Sequence, residues 1–116
     1  YDQEIGDCAD FLLRDIKVGK NAKDSLIGDL YYTYYSVLAM FQMGGEYWVR
    51  WNKAFRDPLV KCQIHTPHFD NAGKFIRGSW DPANHHWASR SGRVYSTAMA
   101  ILSLEVYYRF LPVYKR

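Results

Sequence analysis

The stretch LIGDLYYTYYSVLAMFQMGG, residues 26–45, decides the fold. From Leu30 to Met43 it carries no charged residue, and its apolar and aromatic side chains face nearly every direction of a helix. Leu, Ala and Met favour helix over strand, and β-branched residues are few. The pattern predicts a helix buried all round. Asp29 is placed to cap it or to sit in its first turn, and Gly44-Gly45 to end it.

The segments on either side read differently. Residues 2–18 space Ile5, Cys8, Ala9, Leu12 and Ile16 three or four apart, which makes one apolar helical face. Gly19 is a stop signal, and residues 20–25 form a polar loop. Residues 46–63 repeat Trp48, Trp51, Phe55, Leu59 and Cys62 at helical spacing, with Arg50, Lys53, Arg56 and Lys61 off that stripe. This predicts an amphipathic outer helix that Pro58 kinks or restarts after Asp57. Residues 64–92 form a long irregular connection holding three Gly, Pro67, Pro82 and all four histidines. Connections of that length inside a compact domain are uncommon and often functional. A last helix is predicted over 93–111, with Val94, Ala98, Ile101, Leu102, Val106 and Phe110 as its core face and Pro112 as its stop. Fully buried helices thus alternate with half-buried ones, as in stacked helical hairpins. No segment alternates with period two, so the fold class is all-α, one helical-hairpin domain over 1–116 with 64–92 as its connecting loop.

Composition narrows the functions. Apolar residues make up 48% of the 116, which excludes a disordered segment, and aromatics reach 17% with ten Tyr and four Trp. Such residues suit packed helix faces, cavity walls and interfaces. The net charge is +3 and the cations are scattered apart from the terminal Lys115-Arg116, so no phosphate-tracking stripe is present and no nucleic acid is expected as a partner. Two cysteines, Cys8 and Cys62, lack metal-site spacing and make no disulfide framework; both are expected to be reduced and buried. No apolar run reaches the length of a transmembrane helix. No nucleophile elbow, phosphate loop or dinucleotide fingerprint occurs.

Three elements carry a resemblance. Gln63, a spacer, and then Gly78-Ser79-Trp80 resembles the glutamine–tryptophan motif of squalene and hopene cyclases. DLYYTYYSVLAMFQMGG resembles an inner helix of that superfamily, and GRVYSTAMAILSLEVYYRFLPVY is similar to the closing inner helix of bacterial prenyltransferase/squalene-oxidase-repeat proteins. Together they cover roughly residues 29–115. The resemblance implies an α/α toroid, a ring of helical hairpins around a central cavity. It also implies that Gln63, Gly78 and Trp80 form a structural motif, with Gln63 hydrogen-bonded near a helix end and Trp80 packed beside it. The spacer 64–77 is longer than in the cyclase motif. At about 40 residues per hairpin, the chain holds an arc of two to three hairpins, a segment of a larger toroid near its C-terminus. Its expected partners are the rest of a parent chain or a second copy, with an apolar ligand possible.

Site candidates follow from chemistry and resemblance together. Cyclases of this superfamily protonate an alkene with an acidic Asp cluster, and no such run occurs here. Asp29, Tyr31, Tyr35 and Glu105 are the candidates to line a cavity. Tyrosine ring faces can stabilise a cation, though pairs on both helix faces fit a core better. Glu105, alone in the last helix, is expected to pair with Arg109 four residues on, with Arg93 as another partner. The related protein prenyltransferases hold zinc through Asp, Cys and His. The nearest approach here is His65, His68 and Asp70, followed by His85-His86, in a Gly- and Pro-containing loop without a helical i, i+4 pair. These histidines are expected to face solvent, with no metal and no cofactor. The function expected is scaffolding, or lining an apolar binding cavity. The alternatives are part of a terpenoid cyclase-like enzyme whose acid lies outside this chain, and a self-associating helical interaction module.

Overall fold

Burial of the apolar stripes folds the chain into four α-helices, in a computed structural model describing residues 3–16 and 22–114, the side chains of 22, 89 and 110–114 excepted. They are α1 (Gln3–Arg14), α2 (Leu30–Met43), α3 (Gly45–Cys62) and α4 (Ala88–Tyr114). Short 3-10 turns occupy Ala22–Asp24, Leu26–Gly28 and Pro82–Asn84. Among the described residues no strand forms; Gln63 with Trp80, and Phe69 with Phe75, make isolated antiparallel bridges. The chain is all-α. The expected stop at Gly19, the beginning of the loop at 20–21 and the terminal Lys115-Arg116 lie outside the described residues.

Helix α2 is the hub, packed by α1, α3 and α4. It starts at Leu30 rather than 26, because Leu26 and Ile27 are buried in a 3-10 turn whose Leu26 carbonyl accepts from Thr33 Oγ1 at 2.9 Å. It is not buried all round. Leu30, Thr33, Ser36, Val37 and Met40 are buried, but Tyr31 and Tyr35 are 58% and 53% exposed. Three packing neighbours leave this one strip of α2 uncovered. Gly44, at φ 69°, turns the chain into α3, a backbone region open to glycine at little cost.

Helix α3 buries Trp51, Phe55 and Leu59, spaced four apart. Pro58 neither ends nor restarts it; the helix is continuous from Gly45 to Cys62. Pro58 sits on the exposed side, where water can solvate the carbonyl that loses its N–H partner. Where α2 meets α3, Trp48 packs edge-on to Phe41 at 5.1 Å and lies parallel to Tyr107 at 6.4 Å.

Two expectations about burial are corrected. In α4 the buried face is Ser96, Ala100, Ser103 and Val106, while Val94 is 80% exposed and Ala98 and Ile101 also face solvent. Helix α4 packs on α2, and small side chains at such a contact allow a shorter interaxial distance. The large apolar residues are therefore turned outward. The regular part of α4 begins at Arg93 because Gly92, at φ 85°, breaks the helix behind it. The helix also runs past Pro112, the predicted stop, to Tyr114, and Phe110 lies outside the described side chains. In α1, which ends at Arg14, Ala9 is buried and Leu12 and Leu13 pack against the core. Cys8, expected inside, is exposed, because it lies on the side of α1 turned away from α2 and α3; Cys62 is half-buried, and burial pushes its thiol pKa up. No helix among the described residues is long and apolar enough to cross a membrane.

Candidate functional site

The last four carbonyls of a helix need partners from outside it. At the end of α3 these are supplied largely by the 64–80 segment. The Trp80 indole donates Nε1–H to Leu59 O at 2.8 Å, and His65 Nε2 meets Val60 O at 2.8 Å. Gln63 caps the helix and turns extended, at φ −64° and ψ 141°. Its side-chain amide donates to Gly78 O at 3.0 Å. Backbone bonds close the same loop: Ile64 N donates to Ser79 O at 3.0 Å, and Gly78 N to Ile64 O at 2.7 Å. Gly78 holds φ 88°, which favours glycine. Trp80 is 2% exposed. Its backbone is fixed to α4 from both sides, its N–H donating to Thr97 Oγ1 at 3.1 Å and its carbonyl accepting from Ser96 Oγ at 2.6 Å. Gln63, Gly78 and Trp80 thus meet at one point that joins α3, the loop and α4.

Asp29 is the N-cap of α2, its carboxylate accepting from Tyr32 N at 3.0 Å. Tyr31 and Tyr35 pack ring to ring at 4.8 Å on the uncovered strip, and the Tyr31 hydroxyl raises the pKa of Tyr35. In α4, burial, then the charge of Asp29, then Tyr31 raise the pKa of Tyr95. Glu105 lies elsewhere. It pairs with Arg109 at 3.1 Å, as its spacing predicts, and Arg109 donates onward to Tyr34 Oη at 3.1 Å. Arg93, the other partner considered, donates instead to Ser79 Oγ at 3.0 Å. The structure therefore brings Tyr31 and Tyr35 together, leaves Asp29 as the cap of α2, and puts Glu105 with Arg109 and Tyr34.

The histidines divide. His65 binds the end of α3, and His68 and His86 are exposed. Asp70 accepts from Ala72 N and Lys74 N at 3.0 and 2.8 Å, folding a tight turn between Phe69 and Phe75. Among the described residues no three His, Cys, Asp or Glu side chains gather in a metal-holding group. His85, expected to face solvent, is 1% exposed. Its Nδ1–H donates to Ile27 O at 2.8 Å, which leaves Nε2 as a bare lone pair with no partner among the described residues. Burial lowers its pKa below the usual 6.5, against the opposing pull of that hydrogen bond and of Asp81.

Two of the concave regions among the described residues adjoin these groups. A polar cleft of about 310 Å³ lies between the end of α1 and the start of α2, with Asp15, Lys23, Asp29 and Tyr32 among its walls. Tyr32 donates to Asp15 Oδ2 at 2.9 Å, and burial together with that carboxylate pushes its pKa up to about 12. An open apolar groove of about 370 Å³ lies between the 74–79 loop and the outward face of α4. Sequence reasoning misses His85, Tyr95 and the Tyr32–Asp15 bond because each depends on a partner from a distant segment. The outward apolar residues of α4 that make the groove are visible in the sequence, but spacing alone assigns them to the core. No family model, curated protein or solved structure matches the chain.

Proposed function

We propose that the chain is a non-catalytic helical scaffold, a segment of a prenyltransferase/squalene-cyclase-like α/α toroid whose α2–α4 face lines an apolar binding cavity. The observation that carries this reading is the meeting of Gln63, Gly78 and Trp80 at the end of α3. Gln63 and Trp80 serve there as hydrogen-bonded ties, with Trp80 supplying a partner to the otherwise orphaned Leu59 carbonyl. The carboxyls favour a structural role too. Asp29 is held by a backbone N–H at the start of α2, and Glu105 pairs with a guanidinium at the surface.

Thermal or urea unfolding tests the tie. Trp80→Ala is expected to cost about 3 kcal/mol or more, as other buried aromatic truncations do. Trp80→Phe keeps the ring but removes the indole N–H, leaving Leu59 O unpartnered at a cost of about 1–3 kcal/mol. A negligible loss in both variants would remove Trp80 from the architecture and the reading with it.

A further inference from the structure

The open groove is lined by Phe75 and Ile76 from the loop and by Val94, Ala98 and Ile101 from α4. Lys74, Arg77 and Arg93 border it, and no acidic side chain lines it. Apart from the Arg93 bond to Ser79, no ion pair or side-chain hydrogen bond neutralises these cations among the described residues. An apolar patch rimmed by polar groups marks an interaction site, and this rim has a single sign.

The same chain carries a surface of the opposite kind. Helix α1 turns Glu4, Asp7, Cys8 and Phe11 to solvent, Phe11 being 58% exposed. Asp10 is also exposed, and Arg14 is the helix's one cation. Glu4, Asp7 and Phe11 share one side of the helix, since residues three and four apart are neighbours on its surface. The partner that the groove calls for, an aromatic knob flanked by carboxylates, is therefore present on the molecule. Helix α1 packs on α2 and α3, whereas the groove lies on the side of α4 turned away from α2.

We propose that the groove receives α1 of a second copy of this chain. Phe11 enters among Phe75, Val94 and Ile101, while Glu4 and Asp7 face Lys74, Arg77 and Arg93. Two different patches meet, so the contact is heterologous, and each added copy presents a fresh groove and a fresh α1. Complementary charge sets the register and speeds encounter, and the association weakens as salt screens it.

Sedimentation velocity of the whole chain over a concentration series tests the proposal, with circular dichroism checking the fold of each variant. The wild type is expected to self-associate reversibly, and less at high salt. Reversing the groove charges (K74E with R77E), or the helix charges (E4K with D7K), should each weaken self-association about tenfold or more. Mixing the two variants should restore assembly, because each groove then meets an α1 of opposite sign. A wild type that is monomeric throughout, or association that neither variant changes, would overturn the proposal. So would a monomer that pelleted with anionic phospholipid vesicles through Lys74 and Arg77, which would assign the groove to a lipid surface. A bismaleimide linker gives a second readout independent of the charge variants. In V94C, it should join Cys8 of one copy to position 94 of another in peptide mapping, and the absence of that linked peptide would also overturn the contact.

Discussion

His85 shows how one buried side chain ties folding to pH. In the unfolded chain its imidazole titrates near the ordinary 6.5, while burial holds the folded value lower. Below about that pH the unfolded state binds a proton that the folded state refuses, so unfolding gains on folding as acid is added. The stability that depends on neutral His85 is complete above the unfolded value and declines as pH falls toward the folded one. Urea midpoints measured about one pH unit either side of 6.5 should drop on the acid side, and His85→Asn should flatten that slope. Equal slopes in the two proteins would mean that His85 protonates freely in the fold. Residues whose roles are local were legible in the sequence: Asp29 caps α2 three residues from its donor, and Glu105 reaches Arg109 one turn on. His85 was not, because its acceptor, Ile27 O, lies 58 residues away.

Among the elements, helix positions were legible and helix faces only partly so. The burial of α3 follows its sequence stripe, since Trp51, Phe55 and Leu59 are large and regularly spaced. The stripe of α4 misled, because Ala100 and Ser103, with Ser96 held by its bond to Trp80 O, take the buried positions ahead of larger neighbours. Size signals burial only when the partner helix leaves room for it. Pro58 does not restart α3, which runs on from Gly45 to Cys62, so the proline is a cost the helix carries. Pro58→Ala restores an N–H for the Ala54 carbonyl and removes a steric clash, so it should stabilise the protein by about 1–3 kcal/mol. An unchanged denaturant midpoint would mean that α3 already relaxes around the proline.

At the scale of the whole molecule the chain is a slab of 52 × 33 × 21 Å. Its radius of gyration of 15.3 Å exceeds the value of about 13 Å expected for a compact domain of this length. A slab leaves apolar residues on its faces, and Tyr31 and Tyr35 occupy one of them. If that strip is a lining surface, Tyr31→Ser with Tyr35→Ser should change stability by only about 0.5 kcal/mol per site. The wild type should bind an apolar fluorescent dye, and the same variant should lose that binding. A large loss of stability would instead make the two tyrosines part of the core.

Gln63 and Trp80 clamp the 64–80 segment between α3 and α4. Amide hydrogen exchange in Trp80→Ala, compared with the wild type under native conditions, reads out this clamp. The amides of Ile64, Ile76 and Gly78 should lose protection first and most, while the middle of α2 keeps its protection relative to the global stability of the variant. Protection in that segment unchanged from the wild type would mean that Trp80 does not hold it.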